Sequence, residues 1–404
     1  MTSSALGKIA VYYPAFLGGG AETVALWMLE ALEEKYDLTL FTVSDINFER
    51  LNAMYGTTLS HQKIQVEFLF PTFFNSIADF LIANNKQIRM LLFHLSIRHI
   101  KANQEDYDLL ISAYNAADLG KKTIQYIHWV KVLEGNQWCE KISDFSIAQL
   151  KKNLSLSNSQ VVRKAVQKAY GIDSTVLYPP VVLNVPNKPR IEKENAFICS
   201  GRITEAKQPD KVIKILRQVR AQGFDVKLHL TGGGGGAYAL KYERSIKKLA
   251  AENADWITLY ENLEYTDYVK VVARCKYGIH YKKEPFGISI AEMVKAGAIP
   301  FVRSQGGQVE IVGAQNQDLF FGDEEEAIAK IIAVLSSPEK QSILLEALKA
   351  QKQLFSTQRF MAEMTRFVDD YFERDIWVTK DVATPTPSCD RGNSNRSTGN
   401  LVGD

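Results

Sequence analysis

One local pattern occurs twice in the chain, and this recurrence narrows the folds open to it. An apolar run from Lys8, KIAVYYPA, passes into Gly18-Gly19-Gly20 and then into AETVALWMLEALEEKY, where Val24, Leu26, Trp27, Leu29, Leu32 and Tyr36 fall at helical spacing. From Ala196 the order restarts: AFICSG reads as a buried strand, PDKVIKILRQVRAQ as a helix, DVKLHLTG from Asp225 as a strand and AYALKYERSIKKLAAEN as another helix. Further strands are expected at LTLFTV from Leu38, VEFLF from Val66, DLLISAY from Asp108, KTIQYIHWV from Lys122, WITLY from Trp256 and Tyr277 to His280, with helices at TDYVKVVARC and after Phe286. Strands alternating with helices call for parallel sheets covered on both faces.

A length of 404 residues favours more than one core. The expected division is an α/β domain over 1–180, a linker over 181–195 containing the polar PNKPRIEKEN, and a second α/β domain over 196–355. An amphipathic helix over 356–377, centred on TQRFMAEMTRFVDDYFER, follows, and a tail over 378–404 without apolar periodicity is expected to be disordered.

Charge and cysteine content exclude several classes. Lys and Arg total 48 against 46 for Asp and Glu, and a net charge of +2 offers no global field for nucleic acid, so any anion site is local. Cys139, Cys199, Cys275 and Cys389 are far apart with no CxxC pair, which argues against a zinc site and a disulfide framework. The start MTSSALGKIAVYYP has no basic region followed by an apolar stretch, so the expectation is a cytoplasmic protein. Between 68 and 101, Phe68, Phe70, Phe73, Phe74, Phe80 and Phe93 are mixed with Arg89, His94, Arg98, His99 and Lys101. Two readings stay open for this segment: peripheral contact with the inner membrane face, or a core-facing helix pair with a solvated basic side.

Several motifs sit where open parallel sheets bind ligands, at the C-terminal ends of strands. Gly18-Gly19-Gly20-Ala21-Glu22 joins the first strand to the first helix without the GxGxxG dinucleotide pattern, and Gly232 to Gly236 follows LHLT without a P-loop lysine. Either loop can admit a phosphate closely, or serve as a turn only. Arg202 and Lys207 in SGRITEAKQ follow a buried strand and precede a helix, so both can point into a crevice and compensate the charge of a departing diphosphate. Glu284 and Glu292 in EPFGISIAE flank Phe286, Gly287 and Ile288 at a helix start. Carboxylates accept from sugar hydroxyls, and helix-start amides favour phosphate. Asp106-Tyr107-Asp108 has the DxD spacing of some metal-dependent transferases but abuts a strand start, and is read as a solvated turn.

Taken together, the GGGAE loop, YIHW around His128, SGRITEAK, the glycine loop after LHLT, EPFGISIAE and SQGGQVEIV from Ser304 resemble glycosyltransferase family 4 (group 1), the retaining GT-B enzymes that use nucleotide sugars. A looser likeness runs to mannosyltransferases that extend lipid-linked oligosaccharides, from which Trp129-Val130 and Met293-Val294-Lys295 depart. The resemblance implies two Rossmann-like domains facing across a cleft, with the last helix returning to the first. It implies that Glu284 binds hydroxyls of the transferred sugar with amides of Phe286, Gly287 and Ile288, and that Glu292 holds the ribose. Arg202 and Lys207 would bind the diphosphate near Gly19 and Gly20, Gly232 and Gly233 would contact the donor, and His128 would sit beside the sugar and acceptor. The expected reaction is metal-independent and needs no cofactor: a hexose of mannose or glucose type moves from a donor such as GDP-mannose or UDP-glucose to a glycan or lipid-linked acceptor. An epimerase of the same fold, or a non-catalytic sugar-nucleotide-binding protein, are the alternatives.

Overall fold

Short apolar runs closed by glycine or polar turns make the strands, and the computed structural model of the chain describes them within residues 6–70, 75–131, 137–183, 189–233 and 239–382. The first set comprises β1 (Lys8–Tyr12), β2 (Asp37–Thr42), β3 (Ile64–Phe68), β4 (Leu109–Ser112), β5 (Ile124–Ile127), β6 (Leu154–Ser157) and β7 (Thr175–Val176). These pair in parallel in the order β3-β2-β1-β4-β5-β6-β7. The second set comprises β8 (Glu194–Ser200), β9 (Lys227–Gly232), β10 (Ile257–Glu261), β11 (Cys275–His280), β12 (Ile299–Arg303) and β13 (Phe320–Phe321), parallel in the order β10-β9-β8-β11-β12-β13. Both sheets lie in one compact unit that ends at Met364. Strand order reverses between β1 and β4 and between β8 and β11, and such reversals open a crevice at the strands' C-terminal ends.

Buried strands read as near-continuous apolar runs because helices cover both faces of a parallel sheet. In the second sheet Phe197 stacks on Tyr277 with ring centroids 5.0 Å apart, and Val212, Ile215, Leu216 and Val219 of helix Pro209–Ala221 are fully buried in the same core. Removing one such aromatic ring costs about 3–5 kcal/mol.

Four strands escape the hydrophobic pattern. LSLS of β6 alternates Leu with Ser, β7 and β13 are two residues long, and IPFVR of β12 follows a helix so closely that it reads as its continuation. The expected linker also loses its last two residues to β8, which starts at Glu194 beside Cys275 of β11. There the half-exposed Glu194 carboxylate meets His229 Nε2 at 2.8 Å and Arg274 Nε at 3.2 Å. Residues 184–188 of the linker lie outside the described residues. The last helix runs Thr357–Val382, so residues 378–382 are helical where a disordered tail was expected. No Gly or Pro interrupts it before Pro385. Residues 383–404 lie outside the described residues. Phe360 of that helix packs against Tyr126 of β5 at 6.3 Å.

The aromatic and basic segment forms helices Asn75–Asn84 and Lys86–Ala102. Phe93 and His94 are buried, with His94 Nδ1 2.7 Å from Ser143 Oγ, whereas Ile77 and Phe80 are 52% and 66% exposed. The segment is therefore split between core and surface. Phe73 and Phe74 lie outside the described residues. Among the described residues, no helix is long and apolar enough to cross a membrane.

Polar contacts tie the two sheets' loops together. Glu310, from the second half, accepts from the backbone amides of Gln160 (2.9 Å) and Val161 (3.1 Å) at the start of helix Gln160–Tyr170, and from Tyr178 Oη (2.9 Å). A carboxylate at a helix N-terminus meets unpaired amides and the positive end of the dipole. Ser159, which caps the same helix through Val162 N, also donates to Pro285 O at 2.7 Å. Replacing Glu310 by Ala is expected to cost about 1 kcal/mol, the usual worth of a lost cap. Urea unfolding measures it, and a variant as stable as the parent would show the contact to be idle.

Candidate functional site

A cleft of about 740 Å³ opens at the C-terminal ends of both sheets, and twelve of the residues singled out from the sequence line it. From the first half come Gly19, Gly20 and His128; from the second come Arg202, Lys207, Gly232, Gly233, Glu284, Phe286, Gly287, Ile288 and Glu292. Gly234, Gly235 and Gly236 of the second glycine loop lie outside the described residues.

The glycines are demanded by close approach. Helix Gly20–Leu32 and helix Ile288–Lys295 both begin at the cleft, both behind a glycine N-cap and both without a side-chain cap. Their starts nearly touch: a Cβ on Gly20 would lie 2.5 Å from Cδ1 of Ile288. Two positive helix ends thus converge on one opening, where an anion can take their amides. On the second sheet, a Cβ on Gly232 would collide with the carbonyl oxygen of Gly201.

Glu284 sits at the end of the loop after β11 and is 8% exposed. Its Oε1 accepts from Lys207 Nζ at 2.6 Å and from His280 Nε2 at 2.9 Å, and Lys282 Nζ lies 3.6 Å from Oε2. Its backbone is fixed as well: the amide donates to Gln308 Oε1 (2.9 Å) and the carbonyl accepts from Gly307 N (2.8 Å). Burial works to raise its pKa, but the His280 hydrogen bond and the Lys207 charge overcome it and hold the carboxyl at about 2. Glu284 is thus a fully ionised buried acceptor. Lys207, expected to bind a diphosphate, is paired with Glu284. Arg202 is exposed and makes no ion pair among the described residues.

His128 follows β5 and is 6% exposed. Its Nε2–H donates to Ala113 O at 2.8 Å, which leaves Nδ1 as the acceptor. Burial lowers its pKa to about 4, against the pull of that carbonyl, so the ring is neutral near pH 7. Asn158 Nδ2 holds the His128 carbonyl at 2.8 Å, and the next residue, Ser159, reaches Pro285, so one loop joins His128 to the Glu284 segment.

Three further groups belong to the site. Glu22, 3% exposed, accepts from Gly18 N (2.6 Å) and Tyr55 Oη (2.7 Å), and Gly19 N donates to Tyr55 Oη at 3.3 Å; together they shape the first glycine loop, with Gly18 at φ 90°. Burial pushes Glu22 up to about 7 against those hydrogen bonds. Tyr268 donates to Glu292 Oε2 at 2.6 Å, and His280 holds Glu284. The glutamate of GGGAE carried the only signal in sequence; Tyr55, Tyr268 and His280 reach the site from other elements. Asp106 and Asp108 lie elsewhere, with Asp108 Oδ2 accepting from Lys8 N at 2.7 Å. Among the described residues, no group of three His, Cys, Asp or Glu could hold a metal ion.

Glu292 gives a signed prediction. Burial pushes its carboxyl up to about 7, with the Tyr268 hydrogen bond and Lys295 opposing. An unfolded glutamate titrates near ~4.3. The folded state therefore binds this proton more tightly, and stability falls as pH rises from about 4.3 through about 7. Glu292→Gln removes that fall, so its stability relative to the parent should rise across this range in ligand-free urea titrations. A difference independent of pH would contradict the assignment.

Residues 184–351 match the family model described as Glycosyl transferases group 1. No curated protein matches the chain in sequence. Among solved structures, the Anabaena protein Alr3699/HepE in complex with UDP-glucose is 16% identical, covers 90% of this chain and 100% of its own, and gives a TM-score of 0.67. Sucrose-phosphate synthase of Thermosynechococcus elongatus is 16% identical, with 91% and 99% covered and a TM-score of 0.68. A glycosyltransferase from Rickettsia africae is 15% identical, with 90% and 98% covered and a TM-score of 0.63. The fold of this chain is that of the GT-B glycosyltransferases, two parallel sheets with helices, and its second sheet lies within the segment matched by the group 1 family.

Proposed function

We propose that the chain is a retaining, metal-independent glycosyltransferase that moves a hexose from a nucleotide sugar to a hydroxyl of a glycan or lipid-linked acceptor. The observation that carries this reading is Glu284, a charged carboxylate buried between Lys207 and His280 at the meeting point of two uncapped helix N-termini. Cations and helix ends suit a diphosphate, and a carboxylate beside them suits sugar hydroxyls. The UDP-glucose bound by the Anabaena protein of the same fold makes UDP-sugars the first donors to try, with GDP-mannose next.

In this reading Arg202, Lys207 and the amides around Gly20 and Ile288 receive the diphosphate. Glu284 takes hydroxyls of the transferred sugar, and Glu292 with Tyr268 takes the ribose. The acceptor oxygen attacks the anomeric carbon as its bond to the phosphate oxygen breaks, and the departing diphosphate takes the acceptor proton on the same face. His128 is neutral and contributes contact rather than a proton. Charge growing on the leaving group meets donors already in position, where low dielectric strengthens them. The acceptor faces the first half, and the exposed Ile77 and Phe80 beside Lys86 and Arg89 suit a peripheral contact at the inner face of a membrane. The enzyme would then be cytoplasmic.

Thermal-shift titration with UDP-, GDP- and ADP-sugars, followed by a hydrolysis assay with the best binder, tests this. Glu284→Ala and Lys207→Ala should each lower turnover on the order of a hundredfold, with circular dichroism unchanged. No shift with any nucleotide sugar, or near-parental turnover in both variants, would sink the reading.

A further inference from the structure

His280 ends β11 and is 2% exposed, with no part in phosphate or sugar contact in the reading above. Its Nε2 lies 2.9 Å from Glu284 Oε1, the same oxygen that Lys207 Nζ meets at 2.6 Å. Its Nδ1 is buried with no hydrogen-bond partner among the described residues. Leaving a buried polar atom unmet costs roughly 1–3 kcal/mol, which an apolar side chain at this position would avoid. Whatever a histidine achieves here is therefore done by Nε2.

We propose that His280 is a positioning residue for the sugar-binding carboxylate: its Nε2–H holds Glu284 when a diphosphate entering the cleft draws Lys207 away. The proposal rests on the functional reading given above. Glu284 has two donors on one oxygen, and they differ in kind. Lys207 is a point charge on a flexible stem, 23% exposed, and a diphosphate carries more charge than a single carboxylate. His280 is locked in the sheet and cannot follow the phosphate. The remaining cation facing Glu284, Lys282, stands 3.6 Å from Oε2 and is 34% exposed. With Lys207 turned to phosphate, His280 and the backbone contacts of Gln308 and Gly307 are what keep the carboxylate aimed. Burial keeps the imidazole neutral, so the proton on Nε2 is the one Glu284 receives.

Two substitutions separate this from a packing role. His280→Gln puts an amide N–H near the Nε2 position, and His280→Leu removes the donor while filling the space. With the nucleotide sugar that gives the largest thermal shift, His280→Leu should bind UDP, or the matching nucleoside diphosphate, like the parent. It should lose turnover on the order of a hundredfold, the penalty for a carboxylate displaced by about an ångström. The acid limb of its kcat/KM profile, which reports the free enzyme, should move upward, because burial of Glu284 is then opposed by Lys207 without the His280 hydrogen bond. His280→Gln should recover most of the turnover and restore the acid limb. Equal impairment of both variants, or parental turnover and acid limb in His280→Leu, would overturn the proposal. A ligand-free arm stands apart from catalysis: melting temperatures of His280→Leu, Glu284→Gln and the double variant should be non-additive. Additivity would overturn the proposal. A parent silent toward every nucleotide sugar would instead overturn the functional reading, while non-additivity would still support the contact between His280 and Glu284.

Discussion

A carboxylate cannot stay ionised inside protein unless its charge is met, and at Glu284 that requirement organises the surroundings. Lys207 comes from the loop after β8, His280 from the end of β11, and Gln308 from the helix after β12, so three segments of the second half converge on one side chain and its amide. The neighbouring Pro285 carbonyl then receives Ser159 from the first half. Replacing Glu284 by an apolar residue would strand Lys207 and His280 facing each other in a buried site. The loop owes its position to this pairing as much as to its own sequence.

The same economy governs how the halves meet. Glu310 caps a helix of the first half, and Gly20 and Ile288 approach so closely that a methyl group would not fit between them. Both contacts use helix starts, where amides lack intrahelical partners. One helix start is filled by a protein carboxylate, while the two at the cleft have glycine caps and no side-chain acceptor. That difference separates a structural helix end from one available to an anion.

Sequence made the fold legible where the chain obeys a period. The runs at Lys8, Leu38, Ala196 and Asp225 became strands because burial on both faces demands continuous apolar residues, while the run at Val66 belongs to an edge strand with alternating exposure. β6 and β12 stayed hidden, the first because serines tolerated by side-chain hydrogen bonds, such as Ser155 with Gln125, break the apolar run. Residues 378–382 are helical despite their polar composition, because composition says little about where a helix ends when no Gly or Pro stops it. Most of the cleft-lining candidates could be picked out because they sit in loops or helix starts that follow a strand, a location that pattern supplies. Their partners could not be. His280 ends a strand, Tyr268 sits on a helix and Tyr55 ends another, and only folding brings them to Glu284, Glu292 and Glu22.

Those three glutamates also show why residue type does not fix chemistry. All three are withdrawn from water, and burial alone would raise each of them. Glu22 and Glu292 are met by tyrosine hydroxyls, which donate a hydrogen bond but bring no charge, and both carboxyls rise to about 7. Glu284 is met by an ammonium and an imidazole N–H and falls to about 2. One cleft therefore holds a carboxylate that stays charged at any ordinary pH and one that changes state near neutrality, while a second of that kind sits behind its first glycine loop. A protonated Glu292 can donate as well as accept, so its partner hydroxyls face a different group on either side of neutral pH. The charge Glu284 presents beside them stays constant.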